Sequence, residues 1–215
     1  MKDQIVPPNK EGKKLDLEHS LQLDMPDEAK NLFNLAKTRL LHPSGWKELC
    51  GGLSANFTLT DQRGMNKAGP AEKSDYMRID IPAPGNKEGD GYDWVEIEEK
   101  VEATNENENS ESIAITLRPA GNPTNDHATT AHFFEDKATS TFLIKRTGSE
   151  VKATYSGRNE TINNNTGNAI DNIRNSVVAA AAKVGVSAGQ WERLIQAFLK
   201  KDDKNRNFHK IISLF

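Results

Sequence analysis

Ser140–Ser156, STFLIKRTGSEVKATYS, reads as two β-strands and the turn between them. Ser140 to Arg146 and Glu150 to Ser156 are rich in β-branched and aromatic residues. Thr147-Gly148-Ser149 has the length and composition of a short hairpin, with Gly148 supplying a positive φ. Upstream, the same two-residue period recurs in short runs. Asp75 to Ile81 sets Met77, Ile79 and Ile81 against Tyr76, Arg78 and Asp80, and Trp94 to Val101 sets Val95, Ile97 and Val101 against Glu96, Glu98 and Lys100. Ser112 to Arg118 does the same with Ile113, Ile115 and Leu117. It is expected to pair with the preceding run through the polar tip TNENENSE. With Ser54–Thr60, where Ala55, Phe57 and Leu59 alternate, six strands are expected.

Helical patterns flank this body. Pro26, Asp27 and Glu28 form a start signal, acidic groups favouring the positive end of the helix dipole. Ala29, Leu32, Phe33, Ala36, Leu40 and Leu41 then fall on one face before His42-Pro43 stops the helix. Trp46 to Cys50 fits a helical turn closed by Gly51-Gly52. At the other end, Ile170, Ile173, Val177, Ala181 and Val184 predict one helix, and Trp191, Leu194, Ile195, Phe198 and Leu199 a second. Residues 1–23 mix Pro, Lys, Glu and Asp with scattered Leu15, Leu17, Leu21 and Leu23. On composition they are expected to form a flexible tail. The predicted fold is therefore α+β in a single domain over 24–215: helical at 24–52, a β-rich body at 53–160, and a helix pair at 166–201. The six-strand, mainly antiparallel sheet is expected to curl toward a small barrel of SH3-like or split-barrel type.

Composition narrows the function classes. The net charge of −3, from 28 Lys and Arg against 31 Asp and Glu, provides no global field for nucleic acid or anionic lipid. One cysteine, Cys50, rules out an internal disulfide, and there is no apolar leader or membrane-length apolar run. A cytoplasmic location is expected, although leaderless secretion would leave no such mark. Cys50 lies near a helix C-terminus without an adjacent base, which suits a small buried apolar role better than a thiolate nucleophile. No G-x-S-x-G, H-E-x-x-H or P-loop occurs.

Two loops concentrate the remaining chemistry. In Arg118–Asp136, RPAGNPTNDHATTAHFFED, Arg118, Asp126, His127, His132 and Glu135 are the candidate ligand contacts. His127 and His132 are five residues apart, which suits neither a helical nor a strand metal pair, so no metal and no cofactor is expected. In Pro82–Trp94, Tyr92 and Trp94 could anchor a partner or cap the core, and the burial preference of Trp favours the core. Arg118, Arg146 and Arg158 end three strands and read best as scattered surface arginines. The segment around Gly185 to Gln196 loosely mimics a helix-turn-helix, offering Gln190, Arg193 and Gln196 but also Glu192, and phosphate-contacting cations are sparse before Lys200. With no catalytic constellation in view, the leading expectation is a non-enzymatic interaction or structural module with a protein partner, an adaptor of a bacterial-type assembly. The alternative is a small-ligand-binding or enzymatic barrel with its site in the 118–136 loop, and the third reading is nucleic-acid binding through the C-terminal helix pair.

Overall fold

The β6–β7 hairpin forms as its turn chemistry predicts. Thr139–Thr147 (β6) and Glu150–Glu160 (β7) pair antiparallel from Thr147↔Glu150, and Gly148 turns with φ +58°. The computed structural model describes residues 5–51, 55–81, 89–125, 129–163 and 186–201. Asp93–Asn105 (β4) and Ser110–Pro119 (β5) form the second long hairpin, and Asn56–Thr60 (β2) and Tyr76–Asp80 (β3) extend it.

The expected tail is instead a strand. Lys13–Gln22 (β1) pairs with β7 over its length, with Leu15, Leu17, His19 and Leu21 half-buried and Asp16, Glu18, Ser20 and Gln22 exposed. Alternation at period two, rather than the total apolar count, is what a half-buried edge strand needs. The sheet therefore has seven strands in the order β1-β7-β6-β5-β4-β3-β2, every neighbouring pair antiparallel. The expected six strands, and with them the SH3-like or split-barrel closure, are corrected: β1 and β2 are the two edges of an open sheet.

β1 leads into Pro26–Leu40 (α1), a 3₁₀ turn at Pro43–Gly45 and the one-turn helix Trp46–Leu49 (α2), before the chain reaches β2 at the opposite edge. This connection must cross one face of the sheet, and it is that face, here called inner, which carries the core. α1 packs on β6 and β7, and Val186–Phe198 (α3) packs on β1, β7 and α1. Ile113, Ile115 and Leu117 of β5, Phe142 and Ile144 of β6, and Val151, Ala153 and Tyr155 of β7 face the helices. Trp46 is completely buried among them, its ring 5.3 Å from Phe57, 5.2 Å from Phe142 and 5.8 Å from Phe198. The stripe read from the second C-terminal helix behaves as expected, since Leu194, Ile195, Phe198 and Leu199 are all buried. The first helix expected at the C-terminal end, with Ile170 to Val184 on its apolar face, lies outside the described residues.

On the opposite, outer face, Arg158 donates to Asp16 Oδ1 at 2.7 Å and Ser156 donates to the same oxygen at 2.8 Å, tying β1 to β7. Burial would push Asp16 up, but the bonds from Arg158 and Ser156 and the nearby positive charge outweigh it and hold the carboxyl down to about 2. Among the described residues, no helix is long and apolar enough to cross a membrane.

Candidate functional site

The β6–β7 register places Ser140 opposite Gly157 and Phe142 opposite Tyr155. Because side chains alternate, all four belong to the inner face, so two hydroxyls stand on a wall that is otherwise apolar. Tyr155 is 1% exposed. Its hydroxyl lies 3.1 Å from Ser140 Oγ and donates to Glu160 Oε1 at 3.4 Å. Trp191 of α3 stacks on the Tyr155 ring at 5.3 Å with planes 19° apart, and meets Phe142 edge-on at 5.5 Å.

Simple alternation from Tyr155 would send residue 160 to the outer face with Ser156 and Arg158. The backbone prevents this. Asn159 takes φ +54°, and the β1 pairing slips there, Leu15↔Gly157 being followed by Lys13↔Glu160. This is a bulge with one extra residue on β7, and bulges re-aim side chains. Glu160 consequently folds back over Gly157. A Cβ at position 157 would sit 2.2 Å from Glu160 Oε1 and 3.1 Å from the Tyr155 hydroxyl, so only glycine leaves room for the carboxylate.

Burial raises Glu160 above the usual carboxylate range, and the Tyr155 bond and the charges of Lys13 and Arg158 only partly reverse it. Burial also pushes the Tyr155 phenol far up, and the Glu160 charge adds to this, so Tyr155 stays a neutral donor. Within the trio, Glu160 is the group able to take or give a proton under mild conditions. Ser140, Glu160, Trp191, Leu15 and Leu17 are all half-buried, so the trio is not sealed from solvent.

A stability signature follows. With its value raised on folding, Glu160 binds a proton more readily in the folded than in the unfolded chain, whose glutamates titrate near pH ~4.3. Stability is therefore lost as pH rises from there through the folded value. Glu160→Gln is expected to raise the melting temperature at pH 7, with the gain vanishing below pH ~4. A constant gain across that range would show that the carboxyl is not desolvated.

Of the residues expected to contact a ligand or partner, each described one has local partners. Trp94 is 3% exposed, on the outer face, where its Nε1 donates to the Gly89 carbonyl at 3.1 Å. It is buried, as Trp preference indicates, but under the loops rather than in the main core. The Tyr92 ring lies 4.7 Å from the Arg78 guanidinium. Arg118 binds Glu98 in bidentate fashion at 2.8 and 2.9 Å and donates to the Asp136 carbonyl at 2.9 Å, which occupies its fork. His132 is buried, stacks on Phe133 at 4.3 Å and accepts the Phe134 N–H at Nδ1. Glu135 holds the loop through its backbone N–H to the Thr161 carbonyl. Asp126 and His127 lie outside the described residues. Arg146 and Arg158 are separately engaged with Glu111 and Asp16. Among the described residues, no group of three or more His, Cys, Asp or Glu could hold a metal ion. Cys50 is pushed up to about 11 by burial, and Arg193 offsets this only in part, consistent with a packing role.

No protein-family model and no curated protein matches the chain. Among solved structures, it is similar to the hypothetical protein jhp0584 from Helicobacter pylori, with 10% identity over 90% of this chain and 92% of that one and a TM-score of 0.48. It is also similar to ginseng major latex-like protein 151 from Panax ginseng, with 11% identity, 87% and 97% coverage and a TM-score of 0.38. The Zhui aromatase/cyclase from Streptomyces sp. R1128 gives 10% identity, 86% and 94% coverage and a TM-score of 0.38. The expectation of a non-enzymatic interaction module or assembly adaptor is corrected. Trp94 and the apolar faces of α1 and α3, which such a module would present to a partner, are buried within the chain.

Proposed function

We propose that this chain binds a small, mostly apolar and aromatic ligand against the inner face of the sheet, anchored by Ser140, Tyr155 and Glu160. The observation that carries this reading is the hydroxyl–hydroxyl–carboxyl trio set into an aromatic wall, with Gly157 in mid-strand making room for the carboxylate. Few, placed polar groups on an apolar surface are the usual make-up of a small-molecule site. Trp191, half-buried and stacked on Tyr155, offers a ring against which an aromatic ligand would pack.

The three tryptophans supply a built-in readout through their indole N–H signals in a nitrogen–proton correlation spectrum. Titrating 2-naphthol and naphthalene is expected to move the Trp191 signal, while that of Trp94, on the outer face, stays in place. Thermal stability should rise with probe concentration, since a ligand that binds only the folded chain stabilises it by mass action, about 2.7 kcal/mol at a hundredfold excess over Kd. If both probes leave Trp191 and the melting temperature unchanged up to their solubility limits, the ligand-binding reading fails.

A further inference from the structure

We propose that Glu160 sets the charge of the ligand: the site accepts an uncharged aromatic molecule bearing a hydroxyl group and excludes the corresponding carboxylate. This rests on the ligand-binding reading above and specifies the class of molecule that it concerns.

The argument starts from the unused capacity of the trio. Glu160 Oε1 accepts from Tyr155, whereas Oε2 has no hydrogen bond among the described residues. An ionised carboxylate is an acceptor only, so the ligand group that completes it must be a donor. Ser140 Oγ flanks the same phenol from the other side; with the phenolic proton on Glu160 it donates to Tyr155 and keeps lone pairs that can only accept. A hydroxyl supplies the donor the site lacks, whereas an ether, an unsubstituted ring or a carboxylate does not.

The surrounding charges point the same way. Among the described residues, the cations that act on Glu160 are Lys13, its pairing partner on β1, and Arg158. Arg158 lies on the outer face and is committed to Asp16 Oδ1 at 2.7 Å, the Gly157 carbonyl at 2.7 Å and the Leu15 carbonyl at 3.3 Å. Lys13 is exposed, where screening weakens its reach. A second carboxylate brought beside Glu160 would thus meet a like charge on a partly desolvated wall, and among the described residues the neighbouring guanidinium, Arg158, is already committed.

Three probes of one shape separate the possibilities at pH 7.5: 2-naphthol, naphthalene and 2-naphthoate, titrated calorimetrically and by the Trp191 signal. In the unaltered chain, 2-naphthol should bind about tenfold more tightly than either of the others, the scale of one hydrogen bond to a charged acceptor. Glu160→Gln keeps the size and an acceptor but removes the charge, so 2-naphthoate should gain about tenfold while 2-naphthol loses part of its advantage over naphthalene. Gly157→Ala brings a methyl against the free end of the Glu160 side chain and so displaces the carboxyl without deleting it. In this variant the preference for 2-naphthol over naphthalene should disappear. If the unaltered chain binds all three equally, or 2-naphthoate best, the proposal is overturned and ligand binding itself stands. Binding of none of the three overturns both.

Discussion

Replacing Arg39 by alanine is expected to destabilise the chain by about 3 kcal/mol, through loss of charged hydrogen bonds and of a buried side chain. Arg39 sits in the last turn of α1 and is 2% exposed. Its Nη1 donates to the main-chain oxygens of Ala197 at 3.3 Å and Phe198 at 3.0 Å, and to that of Lys200. Ala197 and Phe198 end α3 and Lys200 follows just beyond it, so these oxygens lie at the negative end of the helix dipole. One guanidinium therefore caps α3 from a different helix and holds Phe198 against Trp46. Alanine removes the cap and leaves a void beneath it. For a chain of this length the melting temperature should fall by roughly 10 °C. Arg39→Met restores most of the volume but none of the donors. It should recover only the packing part of the loss; full recovery would show that the carbonyls need no cap.

The hairpin β6–β7 was legible because everything that determines it is local: alternating side chains and a glycine where φ must be positive. The same holds for α1, whose proline and acidic first turn lie in sequence beside its apolar face. β1 failed for the opposite reason. Leu15, Leu17 and Leu21 have the right period, but the strand is ordered by a partner 140 residues away, as the Asp16–Ser156 bond shows, and a composition argument gives no weight to that pairing. Losing β1 also cost the architecture. Only a strand at each edge, with α1 and α2 spanning between them, distinguishes an open sheet gripping helices from a small closed barrel.

The site was less legible than the fold. Arg118–Asp136 is chemically dense, and two of its described side chains hold the loop in place: Arg118 serves Glu98, and His132 serves the Phe134 N–H. Tyr155 and Ser140 were placed on strands correctly and could be read only as strand residues, because nothing in their own spacing announces a carboxylate beside them. Glu160 was hidden by parity, which assigns it to the outer face. The cues that could have found it are Gly157, a glycine inside a strand, and Asn159, a residue that tolerates the left-handed region. Together they mark a bulge.

That bulge is the second place where a single side chain carries much of the architecture. Asn159 Oδ1 accepts the N–H groups of Lys10 at 2.7 Å and Glu11 at 3.2 Å, its Nδ2 donates to the Pro8 carbonyl at 3.2 Å, and its own N–H donates to Asn9 Oδ1 at 2.8 Å. Asn159→Ala loses the three side-chain bonds and pays for a β-carbon in the left-handed region, together about 3 kcal/mol. Relaxation toward regular alternation would also turn Glu160 outward, so the variant should lose both thermal stability and the preference for 2-naphthol over naphthalene. Asn159→Gly separates the two effects. Glycine adopts the same φ without strain but cannot bind Pro8, Lys10 and Glu11, so it should lose stability and keep the preference. If the glycine variant lost the preference as fully as the alanine variant, the placement of Glu160 would depend on the pinned segment ahead of β1 rather than on the backbone conformation at Asn159.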